Sequence, residues 1–158
     1  MDPLPFEDWM RLAIVQAEAA RSLDEVPIGC VVVHQPESRV VGRGYNRRNL
    51  DCDPTGHAEI LAIREAAETL GNWRLMDCTL IVTLEPCPMC AGAIVNSRIP
   101  RLIYGCADPK AGAVRTLYQI CEDTRLNHRV EVIAGILEQE CSMILKDFFK
   151  VQRALGKK

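Results

Sequence analysis

"CTLIVTLEPCPMCAGAIVNSRIPRLIYGC" spans Cys78 to Cys106, and its reading decides the fold. Residues 78–85 form an almost unbroken apolar, β-branched run, the composition of a strand covered on both faces. Residues 87–99 read as a helix, with Pro88 in a first turn where a missing N–H costs little. Residues 101–106 read as another strand. Strand, helix and strand in immediate succession make a βαβ unit, whose strands run parallel with the helix packed on one face.

The rest of the chain extends this pattern. "HAEILAIREAAETLG" (57–71) has strong helical periodicity and a glycine stop at Gly71. Residues 27–34 and 39–46 read as two strands joined by a turn at "QPES". A last strand is expected over 129–135. Helices are expected from residue 5 to about residue 23 and over 137–156. A loop over 107–113 is expected to lead into a short helical stretch. The predicted fold is α/β: a three-layer α/β/α sandwich around a central mixed five-stranded sheet, with residues 1–158 as a single domain.

Bulk properties agree with one globular unit. The chain has 158 residues, 48% of them hydrophobic and 25% charged, enough to bury a core. No apolar run approaches the ~20 residues of a membrane helix. The start, "MDPLPFEDWM", is acidic and proline-rich, unlike a secretory leader, so a cytoplasmic location is expected. The formal charge of −2 excludes a broad basic footprint, and any RNA binding must use a local patch. The cysteine count is high, at 8. Most of these thiols, Cys30, Cys78 and Cys106 among them, read as reduced, small apolar residues rather than a disulfide framework.

Only Cys87 and Cys90 have ligand spacing. Taken alone, the pair could bind a metal, form a redox couple or fill a core. "HAE" (57–59) changes the balance, because it opens the preceding helix as Cys87 and Cys90 open the next. Helices of neighbouring βα units begin at the same sheet edge, the carboxyl edge where open α/β sheets bind ligands. His57, Cys87 and Cys90 can therefore converge. Three protein ligands leave the fourth position of a zinc site open for water. Residues two apart in a helix point roughly 200° from each other, so His57 and Glu59 share a site only if His57 lies at or before the first turn. Singly, His57 also reads as a helix-end hydrogen-bonder, and Glu59 as a carboxylate favoured by the helix dipole.

"HAE" followed by "EPCPMC" resembles the signature of the zinc-dependent nucleobase deaminases, the cytidine/deoxycytidylate deaminase superfamily. Within that superfamily nearly the whole chain is similar to the bacterial tRNA-specific adenosine deaminases. The likeness runs through "EVPIGCVVV", "GYNR", "DPTGHAEILAIR", "RLIYGCADPKAGA", "NHRVEV" and "GILEQECSMILKDFF". It implies a cytidine deaminase-like fold and one Zn2+ per subunit on His57, Cys87 and Cys90. Glu59 would be the proton shuttle for hydrolysis of adenosine to inosine at the anticodon wobble position, that of the arginine tRNA. Asn46, Ile28, Leu84, Asp108, Asn127 and Phe149 would meet the substrate, with His128 beside Asn127. Asp108 would lie near the ribose, where a carboxylate can accept from a 2′-OH. The implied partners are a tRNA anticodon stem-loop and a second copy of the chain, with no DNA and no membrane.

Each of those residues also has an ordinary structural reading. Asn46, Asp108 and Asn127 suit turns, and Ile28 and Leu84 suit a core. Lys146, Lys150, Arg153 and Lys157 fall along one face of the last helix, where they could meet phosphates with Phe149 stacking a base. They also read as a solvated face with Phe148 and Phe149 packed inward. Gly56 and Tyr45 depart from the family pattern, which usually has Ala and Trp there, and the turn in "HQPESRVV" is slightly longer. A free-base or nucleoside deaminase, for guanine or cytosine, shares "HAE" and "PCPMC". A non-enzymatic member would need a fourth protein ligand, for which Cys52 and His34 are the candidates.

Overall fold

Alternate residues of each central strand face opposite layers, and the two sets pack against different helices. The computed structural model describes residues 5–157; part of the leader reading rests on residues 1–4 and lies outside them. Helix α1 (Phe6–Ser22) precedes the hairpin β1 (Gly29–His34) and β2 (Arg39–Tyr45), whose turn is a short 3-10 segment, Gln35–Glu37. Then follow α2 (Ala58–Leu70), β3 (Cys78–Leu84), α3 (Pro88–Asn96), β4 (Arg101–Cys106), β5 (Glu131–Ala134) and α4 (Glu138–Ala154). The sheet order is β2-β1-β3-β4-β5. β1 is antiparallel to both β2 and β3, whereas β3, β4 and β5 run parallel. The expected mixed five-stranded sheet and three layers are present.

Cys30, Val32, Leu80, Val82 and Leu102 face the layer of α2 and α3, packing with Ala62, Ala66, Ile94 and Val95. Val31, Val33, Ile81 and Ile103 face the other layer, with Trp9, Met10 and Cys141 of α1 and α4. Trp9 is thus a core residue. Five of the cysteines outside the Cys87–Cys90 pair are buried, and Cys52 alone is exposed.

The seating of α2 on the hairpin fixes one half of the site. Ala58, Ala62 and Ala66 form its buried stripe. Opposite them lie Gly42 and Gly44 of β2, where an added Cβ would stand 2.1 Å from the Ala62 carbonyl and 2.2 Å from the Ala58 carbonyl. Backbone meets backbone, so α2 cannot rise or slide without opening the core.

Besides small shifts at helix ends, two strand boundaries and one expected helix differ from expectation. β1 starts at Gly29 rather than residue 27, because Pro27 has no N–H and the Ile28 N–H turns back to the Val26 carbonyl, at 2.9 Å. β5 is shorter, since the Val130 N–H bonds the Cys121 carbonyl at 2.8 Å instead of a strand neighbour. The helical stretch expected after residue 113 is absent; residues 113–117 are turns and a bend. Their amide donors are drawn to a buried carboxylate, described below.

Candidate active site

β2 ends beside the start of β1, and β1 lies antiparallel to β3, so β2 and β3 finish at the same sheet edge. α2 and α3 start there. His57 is the N-cap of α2 (φ −84°, ψ 151°) and Cys87 the N-cap of α3 (φ −75°, ψ 174°). Both have extended backbones, and neither side chain makes a capping hydrogen bond, although capping is what such positions usually do. His57 thereby escapes helical spacing, and the conflict between residues 57 and 59 disappears. Glu59 lies in the first turn of α2 and is buried.

His57 Nδ1 lies 3.5 Å from Cys87 Sγ and 3.5 Å from Cys90 Sγ. The three ligand atoms lie within 4.8 Å of one another and could hold a metal ion. Cys52, in the exposed loop, and His34, at the far end of β1, are not in this group. Protonation within the group is unequal. A hydrogen bond from Cys90 lowers the Cys87 thiol to about 4, with His57 assisting. Cys90 is correspondingly raised, first by that same bond and then by burial. The Cys87 bond raises His57. Burial raises Glu59 to about 6, while a hydrogen bond with Cys90 works the other way.

The substrate residues implied by resemblance are distributed unevenly. Asn46, 3% exposed, gives its Nδ2 to the Val26 carbonyl (3.2 Å), and its Oδ1 accepts from the Arg48 N–H (3.2 Å). Ile28 packs in the layer of α2 and α3, whereas Leu84 packs in the opposite layer. Asp108 closes a turn, its Oδ1 accepting from the Lys110 and Ala111 N–H groups. Asn127 is exposed and precedes β5, at the edge opposite the ligand group. Beside it, His128 Nε2 is 2.8 Å from the Ile99 carbonyl, just ahead of β4. Phe149 is 41% exposed and meets the buried Phe148 edge-on. Of the basic row, Lys157 lies past the end of α4 and pairs with Asp24 at 3.1 Å.

Two buried carboxylates escaped the sequence reading. Glu25 accepts the Asn49 N–H and so fixes the loop that follows Asn46. Glu85, 2% exposed, collects donors from residues 108–116. Burial opposes its charge, but N–H groups of Arg115, Thr116 and Asp108 and the Thr116 hydroxyl outweigh that and lower its pKa. An acid directly after a largely apolar strand was the available signal, since a charge there needs partners.

A sheet edge with two ligand-bearing helix starts and a buried carboxylate has the layout of a hydrolytic deaminase site. The MafB19-like deaminase family model matches residues 5–153. The tRNA-specific adenosine deaminase of Haemophilus influenzae is 45% identical over 147 residues, covering 93% of this chain and 84% of that protein. That of Bacillus subtilis is 46% identical over 147 residues, covering 93% and 90%. A solved structure from work on A-to-I editing by tRNA:A34 deaminases at the wobble position is 46% identical, with a TM-score of 0.82, covering 87% of this chain and 99% of that one. The chain belongs to the family of the tRNA-specific adenosine deaminases.

Proposed function

We propose that the chain converts adenosine to inosine at the wobble position of a tRNA anticodon, with Zn2+ held by His57, Cys87 and Cys90 and with Glu59 as proton carrier. The observation that carries this is the paired 3.5 Å spacing of His57 Nδ1 to the two sulfurs. Zinc bonds of about 2.3 Å to sulfur and about 2.05 Å to nitrogen, at a tetrahedral angle, put N and S roughly 3.6 Å apart. One nitrogen and two sulfurs, with no fourth side chain in the group among the described residues, match a catalytic rather than a structural donor set.

Zinc bound there supplies a Lewis acid that brings the pKa of a water molecule down to about 7. The chain's own residues do the rest. Glu59 takes the proton of that water and delivers it to adenine N1, which makes C6 electrophilic. After oxygen adds at C6, Glu59 takes the remaining proton from that oxygen and passes it to the exocyclic nitrogen; the C6–N bond breaks, the C6 carbonyl forms and ammonia leaves. Water and adenosine thus become inosine and ammonia. The burial of Glu59 keeps bulk water from competing for these protons. Asn46, fixed through its own side-chain bonds, lies on the segment leading toward His57 and is assigned to the purine. Ile28 and Leu84 are assigned to the walls, Asp108 to the ribose, and Phe149 and Asn127 to the surrounding RNA. Because Asn127 stands at the other sheet edge, its contact is assigned to RNA bound by a second copy in a homodimer. An anticodon loop presents its bases unpaired, so no duplex must be opened.

In this reading residues 1–158 form one zinc-dependent deaminase domain that works in the cytoplasm; no helix among the described residues is long and apolar enough to cross a membrane. The test is the mass of an anticodon stem-loop after incubation with enzyme. Wild type gains the adenosine-to-inosine increment, and Glu59→Ala gives none. Glu59→Gln keeps its zinc and loses about 10²–10⁴ in kcat. Full turnover by a zinc-loaded Glu59→Gln protein would remove the proton-carrier role, and a stem-loop left untouched by wild type would remove the substrate.

A further inference from the structure

Glu85 takes part in none of these steps, yet it is among the most completely bonded side chains in the molecule. Its Oε1 accepts from the Asp108 N–H at 3.1 Å and from the Thr116 hydroxyl. Its Oε2 accepts from the N–H groups of Val114 (3.1 Å), Arg115 (2.9 Å) and Thr116 (3.0 Å). These donors come from both ends of one segment, which leaves β4 at the site edge and has no helix or strand of its own. The segment also wraps tightly over the carboxylate: a Cβ on Gly112 would sit 2.5 Å from Glu85 Cδ. The Ala113 N–H then bonds the Pro86 carbonyl at 2.8 Å, one residue ahead of Cys87.

We infer that Glu85 is a positioning residue for substrate binding: it clamps residues 108–116 into one wall of the site and so sets where Asp108 meets the nucleotide. The inference rests on the proposed function for the identity of that nucleotide. Asp108 fits the role. Its Oδ1 is used within the turn, and its Oδ2 makes no bond among the described residues. An amide cannot replace the carboxylate, because donors converge on both oxygens. Whichever way a glutamine is turned, its NH2 faces N–H or O–H groups and leaves buried donors unmatched.

Zinc-loaded E85Q tests this through two readouts. Amide hydrogen exchange over 108–116 is expected to rise about tenfold, the loss of roughly one hydrogen bond. KM for the stem-loop is expected to rise about tenfold, with kcat and bound zinc within about twofold of wild type. Unchanged exchange overturns the clamp. Faster exchange with unchanged KM overturns the link to substrate, and so does a fall in kcat or zinc while KM holds. If E85Q does not fold, Thr116→Val, which removes one donor from an exposed residue, decides by the same readouts at about threefold. A wild type that leaves the stem-loop unconverted overturns the proposed function and the substrate half of this inference, and exchange in E85Q still decides the clamp.

Discussion

The chain approaches the two ligand-bearing caps by different routes. β3 ends at Leu84, and only Glu85 and Pro86 separate it from Cys87. β2 ends at Tyr45, and residues 46–56 intervene before His57. The first route is an extension of a central strand, held by a buried carboxylate. The second is a longer loop, held largely by bonds within itself and by a tie to the buried Glu25. In it the Arg47 N–H bonds the Gly56 carbonyl (2.9 Å) and the Asp53 N–H bonds the Arg48 carbonyl (3.0 Å). The Arg47 guanidinium grips Asp51 and the Tyr45 hydroxyl. Gly56 fits closely, since a Cβ there would lie 3.1 Å from the Asp53 carbonyl. The cysteine side of the site is therefore built into the sheet, and the histidine side is docked onto it. Damage to the first should be total, and damage to the second graded.

Cys90→Ala breaks the comparison at its strongest point. Cys90 is buried and within reach of His57, and its loss leaves two ligands. Zinc content should fall to background and inosine formation should vanish, as read by metal analysis and stem-loop mass. Zinc retained at one per chain would show that the ligand set has been misassigned.

Glu25→Ala tests the docked side with a smaller expected effect. Glu25 is 1% exposed and its carboxylate accepts the Asn49 N–H at 3.0 Å. Removing it forfeits a hydrogen bond to a charged acceptor, for a loss of about 1.5–3 kcal/mol in unfolding free energy. Bound zinc should remain, and KM should rise severalfold as the loop bearing Asn46 loosens. A denaturation midpoint equal to wild type would mean that the loop needs no such tie.

The same division explains what the sequence could reveal. The βαβ core and α2 were legible because burial writes itself into local pattern: an apolar strand, a helical period, a glycine stop. The ligand group was legible because "HAE" and "CPMC" each open a helix, so topology alone brings them together. Glu25 and Glu85 were not legible, because their partners lie on segments distant in sequence and only the fold joins them. The helix expected after residue 113 failed for the same reason, as the N–H groups of residues 114–116 are taken by Glu85. The position of Asn127 followed from where β5 begins. A residue that looks like a neighbour in a motif was thereby placed at the opposite edge.

The smallest expected effect separates the two rims electrostatically. Arg48 lies on the second route and Lys110 on the segment that Glu85 holds over the first; both are exposed, and neither side chain bonds a partner among the described residues. They differ in place. Arg48 stands on the loop that leads to His57, its N–H bonded to the Oδ1 of Asn46 at 3.2 Å, whereas Lys110 stands in the turn that Asp108 closes. A cation beside Asn46 is placed to meet a phosphate flanking the target base. Each such contact on a single strand contributes about 0.7 to the slope of log affinity against log salt. Arg48→Ala should therefore flatten the salt dependence of stem-loop binding by about 0.7, while Lys110→Ala leaves it unchanged. Titrations at several salt concentrations read this directly. Equal slopes for wild type and Arg48→Ala would mean that the backbone passes the site on another side.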